Sequence, residues 1–413
     1  MNAEIITIGE ELLIGQVVNT NQAYLAEKLN SIGISVGRMT TVGDEEAPIL
    51  AVFEDAWSRA DVVIATGGLG PTHDDITKKV VCKFFETDLV ANIEVRKHIE
   101  VLMSRRNIAW TPAAEEQTMM PRKAKLIPNP IGTAAGFRFE ENGRYFFVLP
   151  GVPYEMKEMI DQSVIPFLET KVTGSVIRHL TVRTTGIAES VLAQQLGNID
   201  EILQGARLAF LPSATGVRMR ITVHDTNAGS ADRRITEIDQ HIRARVQKYI
   251  YGTGDEELEE VLGRILTERK LTIAVAESCT GGLIADRITN VSGSSNYFER
   301  GVIAYSNRSK TELLGIPKEL LDRHGSVSKE VAEAMAAGVR RTAGTDIGIS
   351  TTGIAGPTGG TPEKPVGLVW IGYSDAHETL ALKFNFGDNR IRTKERAAQA
   401  AMELVRRRNL KIE

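Results

Sequence analysis

Residues 61–72 read Asp61-Val62-Val63-Ile64-Ala65-Thr66-Gly67-Gly68-Leu69-Gly70-Pro71-Thr72. A short apolar run bounded by Asp and Gly is the pattern of a strand buried on both faces. The glycine turn leads through His73, Asp74 and Asp75 into the apolar-periodic stretch ITKKVVCKFF, residues 76–85. Strand, glycine turn and helix in that order form the unit of an open α/β sheet, whose ligands sit beyond the C-terminal strand ends. Glycines at such a turn let the backbone approach a phosphate, with the helix N-terminus supplying N–H donors. The turn lacks the GK[ST] ending of a P-loop, and GGLG falls short of GxGxxG. It therefore reads either as an anion cradle or as a tight turn.

The same alternation extends outward. Strands AEIITIG (3–9), SVGRMTTVG (35–43) and YFFVLPG (145–151) interleave with helices NQAYLAEKLNSIG (21–33), APILAVFEDAWSRA (47–60) and EMKEMIDQSVIPFL (155–168), giving an α/β domain over residues 1–170. Residues 171–254 change to a small α+β pattern. There HLTVRTTG and the strand pair RLAFLPS and VRMRITVHD alternate with two helices. Glu237, Asp239 and Asp232 interleave with the arginines of the second helix, which marks a solvated face. GTGDEELEE (252–260) reads as a hinge into a third domain, residues 255–413, again α/β. It holds strands LTIAVAES, RGVIAYS, DIGISTTG and GLVWIGYS.

The 413 residues are 42% hydrophobic and 25% charged, and 49 basic against 53 acidic residues give a net charge of −4. Nothing in that balance calls for nucleic acid or an anionic membrane as partner. The opening MNAEIITIGEELL has no basic region before an apolar stretch, and no segment reaches the roughly 18 apolar residues of a span, so a cytoplasmic location is expected. Cys82 and Cys279 have no paired spacing, and the seven histidines form no HExxH, so a Cys- or His-built metal site is not expected.

Two constellations carry chemistry. In the first domain Asp44 and Glu45 end one strand while Asp74 and Asp75 end the next, placing carboxylates along one rim. Such a rim holds a hydrated divalent ion against a pyrophosphate, unless Asp74 or Asp75 merely caps the following helix. In the third domain AESCTGG (276–282) puts Ser278 at a strand-to-helix turn followed by Thr280, Gly281 and Gly282. That arrangement exposes a nucleophile and aims N–H groups at one point, though Ser278 or Thr280 equally suits a helix N-cap. No His offers itself as base. The run Tyr305 to Lys310 delivers a lysine that becomes a base when burial depresses its pKa. GIAGPTGG, with Gly353, Gly356 and Thr358, reads as a second glycine loop for a phosphate or an oxyanion, or as a purely structural turn. Cys279 is the rival nucleophile.

These motifs carry a resemblance. GGLGPTHDDIT is similar to the GGTGxxxxDxT pattern of the molybdopterin-binding superfamily, with Asp75-Ile76-Thr77 at DxT and Leu69 in place of the usual Thr. GEELL (9–13), Asn19 and Asn21 after GQVV, and LPGVP (149–153) resemble further elements of the CinA family (competence/damage-inducible protein A). AESCTGG, SGSSNYFERGVIAYSNRSK, STTGIAGPTGG, KPVGLVW and FGDNR, from Ala276 to Arg390, resemble that family's C-terminal domain.

The resemblance implies a molybdopterin-binding-like three-layer α/β/α domain, a KH-like middle domain and a C-terminal deamidase domain. It implies that the first cleaves ADP-ribose to AMP and ribose 5-phosphate with a divalent ion on Asp44 and Asp75, around Glu10, Asn19, Gly67, Gly68, Gly70 and Gly151. Pterin binding without turnover is the alternative there. The last domain is implied to be an amidohydrolase converting nicotinamide mononucleotide (NMN) to nicotinic acid mononucleotide without a cofactor. Ser278, Tyr305 and Lys310 would be catalytic, with Thr280, Gly281, Gly282, Gly353, Gly356, Thr358 and Arg390 around the substrate. FGDNR carries one residue more than the common GDR spacing, so Arg390 and Arg392 both stand as the family's arginine. The middle domain lacks the GxxG loop of RNA-binding KH domains, so no nucleic acid partner is expected. A homodimer is implied, and a binding scaffold linked to competence is the reading from another class.

Overall fold

The computed structural model describes residues 1–72, 75–105, 107–172, 174 and 176–412. The chain divides into two compact units, one of residues 1–178 with 223–233, the other of residues 179–222 with 234–413.

The first unit is built on strands β1 (Asn2–Ile8), β2 (Ser35–Val42), β3 (Val62–Thr66), β4 (Leu89–Ala91), β5 (Met119–Pro121), β6 (Lys125–Ile127), β7 (Gly136–Glu141) and β8 (Arg144–Leu149). Six of them form one sheet in the order β2-β1-β3-β8-β7-β6, while β4 and β5 pair separately. β1, β2, β3 and β8 are parallel, and β7 and β6 add antiparallel edges. Side chains of the central strands β1, β3 and β8 alternate between two cores, which is why these three are apolar at most positions. Ile5, Ile64 and Phe147 pack with Leu25, Met156 and Ile160 on one face. Ile6, Val63 and Phe146 pack with Phe53, Val81 and Ile99 on the other. The sheet is thus sandwiched between helices. β1 and β3 point their C-terminal ends at the same place, and the glycine turn leaves from β3.

The middle segment forms a sheet β10-β11-β9-β12, from β9 (Val176–Thr184), β10 (Arg207–Pro212), β11 (Val217–Asp225) and β12 (Ile250–Thr253). The stretch 252–260, expected as a hinge and a helix start, holds the end of an edge strand, a turn at Gly254–Asp255 and the first residues of a helix. Ile250–Thr253 pairs with β9 as an edge strand, and Glu257 opens the helix Leu258–Arg269 with a capping box. Buried Arg183 ties the two together, donating to the Gly254 carbonyl at 2.8 Å and to Glu257 at 2.7 Å. Residues 179–222 and 234–254 of the middle segment therefore belong to one unit with the C-terminal segment.

The C-terminal sheet runs β14-β13-β15-β16-β17, from β13 (Ile273–Glu277), β14 (Phe298–Ile303), β15 (Ile347–Gly353), β16 (Leu368–Ser374) and β17 (Thr379–Asn385). The first three strands are parallel and the last two antiparallel. β13 is again two-faced: Ile273 and Val275 join one core, Ala274 and Ala276 the other. β17 and the helix Arg390–Leu410 complete this domain, elements that the sequence reading did not separate. Among the described residues no helix is long and apolar enough to cross a membrane.

Candidate active sites

At the end of β13 the chain turns sharply, and Ser278 is fixed there by its own N–H, which donates to the Thr351 carbonyl of β15 at 2.9 Å. The adjacent edge strand leads to Ser306, whose hydroxyl caps the helix Asn307–Leu314 by accepting from Ser309 N. One turn in, Lys310 points back into the domain and is 1% exposed, so it is no solvated surface lysine. Its Nζ lies 3.1 Å from Ser278 Oγ, 2.9 Å from the Ala304 carbonyl and 3.4 Å from the Tyr305 carbonyl. Burial holds its pKa below the usual lysine value. With the two carbonyls taking two N–H hydrogens, a neutral amine turns its lone pair toward the serine hydroxyl.

Neither Ser278 nor Thr280 is a helix cap. The following helix, Leu283–Thr289, starts at Gly282 without a side-chain cap from that residue. Its first amides are satisfied by Glu277, which the sequence reading passed over. Its buried carboxylate accepts from Gly282 N at 2.9 Å, Ile284 N at 3.2 Å and Ala285 N at 2.9 Å. This corrects the idea that the helix N-terminus and the Gly282 amide serve an oxyanion, because both already face a carboxylate. Thr280 is fully buried against Thr351 Oγ1 at 2.7 Å. Gly281 and Gly282 adopt φ of 64° and 101°, which permits the turn.

Tyr305 meets Lys310 only through its carbonyl. Its side chain is 60% exposed, and its hydroxyl accepts from Arg390 Nη2 at 3.1 Å. Arg390 also donates to the Gly356 carbonyl at 3.0 Å, whereas Arg392 contributes its backbone N–H to the Asn389 cap. Arg390 is therefore the arginine that reaches Tyr305 and the GIAGPTGG loop. Within that loop Gly353 has a packing reason to be glycine, since a Cβ would lie 2.6 Å from the Leu368 carbonyl, and Thr358 is exposed. Cys279 faces inward, and burial pushes its thiol up to about 12. A thiol protonated at neutral pH is a poor nucleophile.

In the first unit a cavity of about 540 Å³ opens at the C-terminal ends of β1 and β3. Asn19, Asp44, Gly67, Gly68, Gly70, Asp75 and Gly151 all line it. A Cβ on Gly67 would stand 2.1 Å from the Ile8 carbonyl, so the turn closes only without a side chain. Gly67 N donates to Leu149 O, while among the described residues no acceptor is paired with the amides of Gly68, Leu69 or Gly70.

Two expectations are corrected here. Glu10 does not line the cavity; its N–H donates to Asp44 Oδ2 at 2.9 Å, and Glu11 lines instead. Asp75 does not cap the helix Thr77–Phe84, whose N-cap is Ile76; its Oδ2 accepts from Thr72 N at 2.9 Å and from the Thr72 hydroxyl. Asn19, which lines the cavity, donates its amide to Thr7 Oγ1 at 2.8 Å and caps the helix Thr20–Ser31 with its oxygen. His73 and Asp74 lie outside the described residues. Among the described residues no three His, Cys, Asp or Glu side chains come together as a metal-binding group. Sequence reasoning also missed Glu155, which lines the cavity, and buried Lys78, whose pKa burial lowers to about 8.

Comparison with known proteins gives 44% identity over 409 residues to a CinA-like protein of Salinibacter ruber, covering 98% of this chain and 99% of that one. The chain belongs to the CinA family. A second CinA-like protein, from Chloroherpeton thalassium, is also 44% identical, over 98% of this chain and 99% of its own. Family profiles match in chain order: "Probable molybdopterin binding domain" over residues 4–170, "Damage-inducible protein CinA KH domain" over 179–252 and "CinA C-terminal domain" over 255–409. Among solved structures, the competence/damage inducible protein CihA from Agrobacterium tumefaciens is 37% identical, with a TM-score of 0.35, and covers 36% of this chain and 94% of its own. The fold is accordingly molybdopterin-binding-like, KH-like and CinA C-terminal in succession.

Proposed function

We propose that this CinA protein is a bifunctional nucleotide hydrolase, with an NMN amidohydrolase site in its C-terminal domain and an ADP-ribose pyrophosphatase site in its N-terminal domain. The observation that carries the first is the buried Lys310 amine 3.1 Å from Ser278 Oγ. A Ser–Lys pair of this kind needs no metal or histidine, and burial supplies the neutral amine that a base requires. Ser278 Oγ bonds to the carboxamide carbon as its proton passes to Lys310 Nζ. The C–N bond breaks as that proton moves to the departing nitrogen, which leaves as ammonia. Water then gives a proton to the amine and adds to the ester carbon, and the C–Oγ bond breaks as Ser278 recovers its proton, releasing the carboxylic acid. The oxyanion falls to the amides of Cys279 to Gly281, upstream of the Glu277-bound Gly282. Arg390, exposed to the site beside Tyr305, is suited to an anionic part of the substrate. The deciding experiment is ammonia release from NMN by purified protein; none at any pH between 6 and ~10 rejects the reading.

For the N-terminal domain the supporting observation is a cavity that joins glycine-turn amides, unpaired among the described residues, to Asp44 and Asp75. Each carboxylate has one oxygen engaged by a backbone N–H. That donor set fits a divalent ion which keeps part of its water shell and takes other ligands from phosphate, and not an all-protein cage. When bound, such an ion would neutralise charge on the pyrophosphate. The chain's own part is to hold the phosphates on the glycine turn. AMP production from ADP-ribose with added divalent ion tests this; pterin binding with no turnover would replace it.

A further inference from the structure

The helix Arg390–Leu410 treats its cations in two ways. Toward its C-terminal end Arg406 and Arg407 each meet Glu403 at 2.7 Å, and Arg408 meets Glu378 at 3.3 Å. In its first two turns Arg390 and Lys394 carry no ion pair among the described residues. Arg390 donates only to neutral oxygens, the Gly356 carbonyl at 3.0 Å and the Tyr305 hydroxyl at 3.1 Å. Lys394 is half-buried and makes no hydrogen bond among the described residues; its Nζ stands 3.6 Å from the place a Cβ on Gly281 would take. Residues four apart share one face of a helix, with Cβ atoms about 5–6 Å from one another. From that one face Arg390 reaches Tyr305 and Lys394 reaches exposed Gly281, three residues after Ser278.

For stability alone this placement is unfavourable. Like charges at that spacing repel, and Arg390 sits at the helix end where the peptide dipoles already present positive charge. The arrangement becomes favourable once an anion lies against both cations, and two cations match a dianion. A phosphate monoester is a dianion above its second pKa of about 6, and its three oxygens can be shared between a guanidinium and an ammonium. Tyr305 sets the distance to the chemistry: its carbonyl is 3.4 Å from Lys310 Nζ, and its hydroxyl is on Arg390. The anion is thereby held a tyrosine side chain away from the base. A mononucleotide has that layout, with its reacting group on the ring and its phosphate at the far end of the sugar.

We propose that Lys394 joins Arg390 in a clamp for the 5′-phosphate of the amide substrate, so that Lys394 selects a mononucleotide over the corresponding nucleoside. This rests on the reading of the C-terminal site as an amidase and names what sets its substrate class. The test compares kcat/KM for ammonia release from NMN and from nicotinamide riboside in the full chain. The same comparison is made as affinity, by calorimetric titration in a Ser278→Ala background. Wild type is expected to prefer NMN by about 10²-fold or more. Lys394→Gln should lower that preference about tenfold, through KM and not kcat. Arg392→Gln removes the same charge two positions away, off that face of the helix, and should keep the preference. No preference in wild type overturns the clamp and leaves the amidase standing, as does a Lys394→Gln variant that keeps the preference or an Arg392→Gln variant that loses as much. Equal losses on both substrates in Lys394→Gln, carried by kcat, overturn it too and give Lys394 to the developing oxyanion. A titration preference that Lys394→Gln removes, without ammonia from either compound in wild type, overturns the amidase reading and leaves the clamp standing.

Discussion

Both halves of this protein place a glycine turn where a buried parallel strand gives way to a helix, yet the two turns treat their amides in opposite ways. After β3 the amides of Gly68, Leu69 and Gly70 have no partner among the described residues and border an open cavity. After β13 the amides of Gly282, Ile284 and Ala285 are claimed by Glu277, a carboxylate from the strand itself. The first turn keeps the amides that the proposed phosphate site would use, and the second is locked by a carboxylate of its own strand beside Ser278. Their lysines differ in parallel. Lys78 and Lys310 are both buried and both depressed in pKa, but among the described residues Lys78 Nζ reaches only the Gln117 carbonyl at 3.5 Å, whereas Lys310 Nζ meets two carbonyls and a hydroxyl. A glycine turn is therefore not a function in itself. What the preceding strand delivers to the turn decides it.

The largest effect expected is on the locked turn. Ser278→Ala and Lys310→Met should each lower kcat for ammonia release from NMN by about 10³-fold or more, and the double variant should lose little beyond either, because the pair acts as one device. In wild type the rate should climb with pH along a limb lying below the ordinary lysine range. The base works only when neutral, and burial lowers the pKa at which it becomes so. Losses that multiply in the double variant, or a flat pH profile, would separate Lys310 from the chemistry. On the open turn, Asp75→Ala should reduce metal-dependent ADP-ribose cleavage by about 10²-fold or more while NMN turnover stays within about twofold. Chelator should reproduce that split. If a folded Asp75→Ala variant loses both activities, the two turns do not work independently.

The sequence pattern made the open turn easier to read than the locked one. Val62 to Ala65 can only be a strand buried on both faces, and the glycines after it can only be a turn, so the cavity's position followed from composition and spacing. For the second turn the same signals located Ser278 but not the use of its neighbours. Glu277 lies within an otherwise apolar strand, and a one-dimensional reading has no means of seeing that its carboxylate bends forward onto a helix five to eight residues ahead. Glu155 was hidden for a related reason, since its partner Asn129 is 26 residues away. Lys310 was legible as a residue type but not as a buried one, because its amine is met by Ser278, just past β13, and by Ala304 and Tyr305, just past β14. The strand Ile250–Thr253 was missed because an edge strand of four residues carries too short an alternation to be told from a loop.

A smaller effect is expected from unlocking the second turn. Glu277→Gln keeps the shape but replaces a charged acceptor of several N–H bonds with a neutral amide, one end of which is a donor facing those amides. A loss of about 2–3 kcal/mol is expected in denaturant unfolding, with a weaker fall in kcat than that of Ser278→Ala. Unchanged stability would mean that the carboxylate does not hold the turn.

The smallest effect should come from the residue nearest the nucleophile. Cys279 directly follows Ser278, but its side chain is buried in the core with Ile284 and Ala355, and its thiol is pushed up to about 12 by that burial. At pH 8 a group with that pKa is ionised in about one molecule in 10⁴, too few to support the rate the Ser–Lys pair would give. Lys310, the one base at the site, meets Ser278 Oγ and two carbonyls, and no hydrogen bond joins it to the Cys279 sulfur. Cys279→Ala removes one small buried atom, so about 1 kcal/mol of stability should go with it while ammonia release stays within about threefold of wild type. Treatment with a thiol alkylating agent should likewise leave the folded enzyme active. Should Cys279→Ala abolish turnover while Ser278→Ala retains it, the turn presents its second residue to the substrate and not its first, and the roles assigned to Lys310 and to the Cys279–Gly281 amides would have to be redrawn around a thiolate.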